Sequence, residues 1–357
     1  MSLKVNGLTF AATGVVPASA TLARARHGRR LRCNPTAAAT SHTFGPEQPL
    51  REWLAREGGF LHPGLRLVDR APCGCRGVVA AETIPLEELA GHGPLVVVPK
   101  DLHLENTAAL KLLESWMGPA AAADAAAGMS SAALVAVALA YEKALGAASR
   151  WAPYIASLPE EPPAPWLLPR EALAAAAAAA IAGRGGGGGE GGCTESEWVA
   201  AAKARRSEVE EEVTRACLAL ADAAAAADAA RHLGSRTAGS TSGSGGDTCG
   251  SWLTPPLLTW ALAHVQSRSL GTAGSSGLVP VVDLLNHCAS ARPPMLQLDD
   301  SDRLVVTALP TRGGEAAPLA AGEELLISYG ARAPLEGWLK FGFVADEWWE
   351  GARDEEV

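Results

Sequence analysis

Between residues 60 and 100 the apolar positions come in short runs, at 65–68, 77–81 and 95–98, punctuated by glycine and proline. Runs of this length, rich in valine and leucine and bounded by turn residues, predict strands in twisted hairpins rather than alternating strand–helix units. Just before them, residues 50–62 carry an amphipathic pattern that ends at Gly58-Gly59, which predicts a short helix with a glycine stop. From about Asn106 the period changes. Residues 110–117 and 132–145 place apolar side chains three and four apart, the spacing of a helix face. The alanine run 172–182, the charged stretch 195–231 and residues 260–268 extend the helical character. Residues 151–159, rich in proline and aromatics, read as a non-helical interruption. Strand-like runs return at 278–284, 304–308 and 324–328. The order β, helical, β predicts an α+β fold whose β core is assembled from both ends of the chain. Two low-complexity stretches, 184–192 and 235–250, read as flexible linkers. The glycine tract lacks the Gly-Lys-Ser/Thr ending of a phosphate-binding loop.

Charge and composition narrow the function. The formal net charge is −9, which argues against a general nucleic-acid binder, because such proteins need basic surface to neutralise phosphates. No apolar run is expected to reach the ~20 residues of a membrane span; the best, around 132–141, runs into Glu142 and Lys143. Of the seven cysteines only Cys73 and Cys75 are close, and no second Cys/His cluster completes a zinc site. Residues 1–46 contain no Asp or Glu but carry Lys4, Arg24, Arg26, Arg29, Arg30 and Arg32 among many Ala, Ser and Thr. That composition predicts an organelle transit peptide, for the chloroplast stroma, with the mitochondrion as the alternative. Arg30-Leu-Arg-Cys33 resembles a plastid processing site. Loss of residues 1–32 would leave a clearly acidic protein, which suits a basic, lysine-bearing protein partner.

The candidate chemistry lies in two segments near the end, Pro280-Val-Val-Asp-Leu-Leu-Asn-His287 and Gly322-Glu-Glu-Leu-Leu-Ile-Ser-Tyr-Gly330. Asn286 and His287 close one apolar run, and Tyr329 closes another just before a glycine. Polar groups placed where strands stop predict a site built from loop ends on a rigid scaffold. These segments resemble the signature pieces of SET-domain methyltransferases of the Rubisco large-subunit methyltransferase-like class. Weaker matches are Arg76-Gly-Val-Val-Ala80, His264-Val-Gln-Ser-Arg268 and Trp151-Ala-Pro-Tyr-Ile-Ala-Ser-Leu-Pro159.

The resemblance implies a β-rich SET fold with a pseudoknot and an inserted helical subdomain. Its units would be a SET part at 47–105, the insertion at 106–262, a second SET part at 263–345 and an acidic tail at 346–357. It implies S-adenosyl-L-methionine (AdoMet) as cofactor and a protein lysine side chain as methyl acceptor, on Rubisco or another plastid protein. Histidine methylation and a non-catalytic, SET-like protein-binding module are the alternatives. Arg76, Gly77, Val78, Arg268, Asp283, Asn286 and His287 would hold the cofactor. Tyr329 would be the catalytic tyrosine, also touching the cofactor, and Phe341 would line the substrate channel. No metal is implied. The chain departs from the family pattern after Tyr329-Gly330, where Ala331-Arg-Ala-Pro334 replaces a Ser-Asn pair. It departs again at Phe341-Gly342-Phe343, where the family has a tyrosine first.

Overall fold

The computed structural model describes residues 47–91, 93–182, 194–235, 253–272, 275–288, 294–308, 311–312 and 315–349. The expected transit peptide, the glycine tract, most of the second linker and the end of the acidic tail lie outside the described residues.

Three junctions tie the first β segment to the last. Strand Val96–Val98 pairs with Leu304–Ala308, in the register Leu304↔Val98 to Val306↔Val96, inside a four-stranded antiparallel sheet completed by Phe60–Leu61 and Pro294–Leu298. Leu104–Glu105 pairs with Ser275–Leu278. The hairpin Leu65–Val68 with Gly77–Ala80 is bridged to the far end of the chain by Val79↔Glu324. Each junction joins residues before 106 to residues after 270, so the four-stranded sheet and the sheet of Leu104–Glu105 with Ser275–Leu278 need both ends of the chain. The helices from Asn106–Met117 to Pro255–Arg268 lie between them in sequence.

Helix Ser131–Leu145 is the hub of that helical part. Every residue from Val135 to Ala140 is buried, so the helix is apolar all round, as a central helix must be. Ser130 caps it by accepting the Ala133 N–H at 3.0 Å. Within the described residues it belongs to the one stretch, Ser131–Ala148, long and apolar enough to cross a membrane. Its burial accounts for the composition, since a core helix passes the same test. The long helix Glu195–Ser235 reaches the last β segment through Trp198. Its ring stacks on Trp349 and tilts against Trp338, with centroids 5.7 and 5.1 Å apart. Trp338 sits on helix Pro334–Phe341, so this aromatic contact sets where Phe341 is presented.

Several local expectations are corrected. The run 278–284 is not one strand. It leaves the sheet after Leu278, turns at Val281 and forms a 3-10 turn at Val282–Leu284. Val281 has φ 71° and ψ −43°, a region costly for a β-branched residue, and it is fully buried. The apolar pattern there encodes burial, not extension. Residues 151–159 do contain a short helix, Ala152–Ser157; its proline falls in the first turn, where a missing N–H costs nothing. The first helix is Glu47–Arg56, ending before Gly58 at φ 83°, and Phe60–Leu61 is a strand.

Candidate active site

Asn286–His287 and Leu326–Ile327 run side by side as a parallel pair, Leu326↔Asn286 and Ile327↔His287. This pairing carries Asp283, Asn286 and Tyr329 to one cavity of about 350 Å³. Arg76, Arg268, Phe341 and Phe343 share its wall, with Cys75, Asp69 and Glu161. The volume falls in the range of small-molecule sites.

The cavity floor is polar and buried. Asp283 accepts the Tyr154 hydroxyl on Oδ2 at 2.6 Å, while its buried Oδ1 has no hydrogen-bond partner. Burial pushes the carboxyl up to about 6, against the opposing pull of Arg268 and the Tyr154 hydrogen bond. Arg268 Nη1 donates to the Asp283 carbonyl at 3.1 Å, and its buried Nε likewise lacks a partner. Burial, and then the nearby Arg268 cation, lower Arg76 from its ordinary value. Two residues of the cavity lining thus each keep one unpaired, desolvated polar atom, an acceptor on Asp283 and a cationic donor on Arg268. Buried polar atoms are rarely left unpaired in proteins, so these two ask for a ligand carrying the complementary groups.

Asn286 lines the cavity and is at the same time tied into the scaffold. Its Nδ2 donates to the Arg76 carbonyl at 2.8 Å and to Glu324 Oε1 at 2.7 Å, with Cys73 Sγ at 3.3 Å. The amide nitrogen is thus used in locking the 73–77 turn to the last β segment. Glu324 Oε2 takes the Cys73 N–H at 3.1 Å from the other side. Gly77 makes room for this lock. A Cβ there would lie 2.7 Å from Asn286 Nδ2 and 2.8 Å from Glu324 Oε1. Gly77 and Val78 are buried in their strand and do not line the cavity.

His287 is buried behind the cavity rather than in its wall. The Tyr329 N–H donates to His287 Nδ1 at 3.0 Å, so Nδ1 is the acceptor and Nε2 carries the proton, facing Glu347 Oε1 at 3.0 Å. Burial lowers the imidazole below its ordinary value, although Glu347 pulls the other way. The ring is sandwiched between Tyr329 and Trp348, at 5.1 and 5.0 Å. Glu347 and Trp348, beyond residue 345, are therefore part of the scaffold. Tyr329 itself donates its hydroxyl to the Leu285 carbonyl at 2.8 Å and packs its ring on Phe341 at 4.8 Å.

The remaining wall is the segment after Ser157. Arg76 Nη1 holds the Ser157 carbonyl at 2.7 Å, neutral His264 holds Pro159 through Nε2 at 2.9 Å, and Trp260 Nε1 holds Glu160 at 3.0 Å. Burial, then the Arg268 charge, keep His264 well below its ordinary value, so that ring stays an uncharged donor. Tyr154, Glu324, Phe343 and this segment were not singled out as site residues by the sequence reading. A usable signal existed for one of them. The chain has only three tyrosines, and two of them, Tyr154 and Tyr329, converge here.

No protein-family model matches the chain, and no curated protein matches it. Solved structures do. Rubisco LSMT bound to AdoMet superposes with a TM-score of 0.53 at 19% identity, covering 84% of this chain and 56% of that one. The SET domain of LSMT bound to lysine and AdoHcy gives 0.51 at 19% identity over 84% and 57%. Rubisco LSMT bound to sinefungin and monomethyllysine gives 0.52 at 18% identity over 84% and 57%. The chain has the α+β, SET-like fold of these proteins, and it spans a little over half their length.

Proposed function

We propose that this chain is an AdoMet-dependent protein-lysine N-methyltransferase. The observation that carries the reading is the pair of unpaired buried atoms, Asp283 Oδ1 and Arg268 Nε, on one cavity whose wall includes Tyr329. An α-amino acid end, with its ammonium and carboxylate, complements that pair. The similar structures hold AdoMet, AdoHcy and lysine compounds. When bound, the cofactor would supply an activated methyl group on a sulfonium. The protein's own share is positional. Tyr329, held by Leu285, would align the incoming amine, and Phe341 and Phe343 would keep the approach dry. A lysine ammonium, pKa ≈ 10.4 in water, loses its proton more readily where charge is desolvated. Residues 106–262 fit a helical insertion in a split SET domain (47–105 with 263–345). The parallel pair Asn286–His287 with Leu326–Ile327 fits the pseudoknot.

The direct test is incubation of the full chain with radiolabelled AdoMet and a plastid stromal extract, followed by mass spectrometry of the labelled residue. Label on lysine supports the proposal; label on histidine, or none with intact folding, overturns it. The plastid address rests on the acid-free, Arg-rich residues 1–46. A fluorescent protein fused to residues 1–50 should enter plastids, and cytosolic signal would refute that part.

Asp283 makes binding pH-dependent. Its folded value of about 6 lies above the ordinary carboxylate value, so ionising it costs stability as pH rises from ~4 through 6, by roughly 3 kcal/mol at pH 7. A ligand ammonium beside the carboxylate returns part of that cost only when Asp283 is ionised. AdoHcy affinity should therefore rise about tenfold between pH 5 and pH 7. Tyr154→Phe removes a hydrogen bond that favours the carboxylate, so its midpoint should move up. Calorimetric titrations across that range check both; a flat profile, or a midpoint moving down, would contradict the assignment.

A further inference from the structure

The turn between Leu65–Val68 and Gly77–Ala80 holds two thiols, Cys75 in the lining of the cavity and Cys73 behind it. Cys75 is half-buried and is one of the residues that line the cavity. Cys73 is buried behind it, and its Sγ accepts the Cys75 backbone N–H at 3.4 Å, so the two cysteines already meet across the turn. Gly74 between them has φ 90°, the left-handed backbone that glycine adopts freely. Both cysteines are thiols in this structure. Cys73 Sγ is also wired into the lock described above: it gives its S–H to Glu324 Oε1 at 3.3 Å and accepts from Asn286 Nδ2 at 3.3 Å.

We propose that Cys73 and Cys75 are a redox-modification site that closes to a disulfide with a small-molecule disulfide as oxidant, and that closure weakens ligand binding in the cavity. The Cys75 thiolate attacks one sulfur of the oxidant and releases the first small thiol. Cys73 then gives its proton toward Glu324, attacks the Cys75 sulfur of the mixed disulfide and releases the second. Two thiols of the protein are oxidised by two electrons, and one small disulfide is reduced to two thiols. The new bond requires sulfurs ~2.05 Å apart, so Cys73 must leave its place against Asn286 and Glu324, and it no longer has a proton to share with Glu324. Asn286 lines the cavity, so the disturbance is felt there directly. The effect on ligand binding rests on the cofactor reading above; the disulfide does not.

One tryptic peptide, residues 71–76, contains both sulfurs and no others. The folded full chain would be incubated with oxidised glutathione, quenched with iodoacetamide and digested. The expected product is peptide 71–76 unalkylated and lighter by two hydrogens, reverting with dithiothreitol. A doubly alkylated peptide, or one carrying glutathione on Cys75 and alkylation on Cys73, would overturn the proposal. Undigested portions of the oxidised and reduced protein titrated with AdoHcy should differ, the oxidised one binding about tenfold more weakly, the effect of disturbing a buried polar contact. Affinity of Cys75→Ser should not respond to the oxidant. Unchanged affinity in the closed protein would overturn the coupling through Asn286. If even the reduced protein fails to bind AdoHcy, the cofactor reading falls while the peptide map still decides the disulfide.

Discussion

Tyr329→Phe is expected to slow methyl transfer on the order of 10²-fold while leaving AdoHcy affinity within about twofold. The hydroxyl is tied to the Leu285 carbonyl at 2.8 Å, and the ring is held between His287 and Phe341. Phenylalanine keeps the ring and its two aromatic contacts, so the cavity keeps its shape. What disappears is one oriented dipole on the cavity wall, where the proposed reaction would place the amine. The backbone amide of residue 329 still donates to His287 Nδ1, so the turn persists. Single-turnover rates with calorimetry on the same protein separate the two quantities. Parallel loss of rate and affinity would assign Tyr329 a binding role; unchanged rate would remove it from the reaction.

The candidate site near the end of the sequence was legible because its polar residues interrupt apolar runs. Asn286, His287 and Tyr329 stand out against valine and leucine neighbours, and the structure brings all three to one place. Their division of labour was not legible. Asn286 spends its amide nitrogen on Arg76 and Glu324, partners 210 and 38 residues away, and no local pattern encodes that. Tyr154 meets Asp283 across 129 residues, from a helix turn hidden in a segment read as irregular. The same limit explains the misread run 278–284. Leu-Val-Pro-Val-Val has the composition of a strand, and only tertiary packing forces Val281 to φ 71°. That turn aims Asp283 at the cavity. The α+β order and the split core were readable because they depend on hydrophobic period alone. The cavity wall was not, because it depends on a proline-rich segment anchored by Arg76 from the turn before Gly77–Ala80 and by Trp260 and His264 from helix Pro255–Arg268.

Gly342→Ala should be the most damaging of the small substitutions, destabilising the fold by about 2–4 kcal/mol and weakening AdoHcy binding with it. Two independent costs combine at this position. Gly342 ends helix Pro334–Phe341 in the left-handed conformation, φ 79° and ψ 5°, which an alanine adopts at a penalty of ~1 kcal/mol. An added Cβ would also overlap the Pro163 carbonyl, which is backbone and has no flexible end to yield. Pro163 belongs to the segment that walls the cavity, and Phe341 and Phe343 flank the glycine on the opposite wall. The methyl group therefore drives a wedge between two sides of one pocket. The control is Gly91→Ala, another helix-end glycine, where φ is −73° and the nearest atoms to a Cβ are 3.6 Å away. That variant should stay within about 0.5 kcal/mol of the parent. Chemical denaturation and AdoHcy titration of both variants decide the matter. Equal stabilities for the two would show that Gly342 is tolerated for flexibility rather than required by the wall it touches.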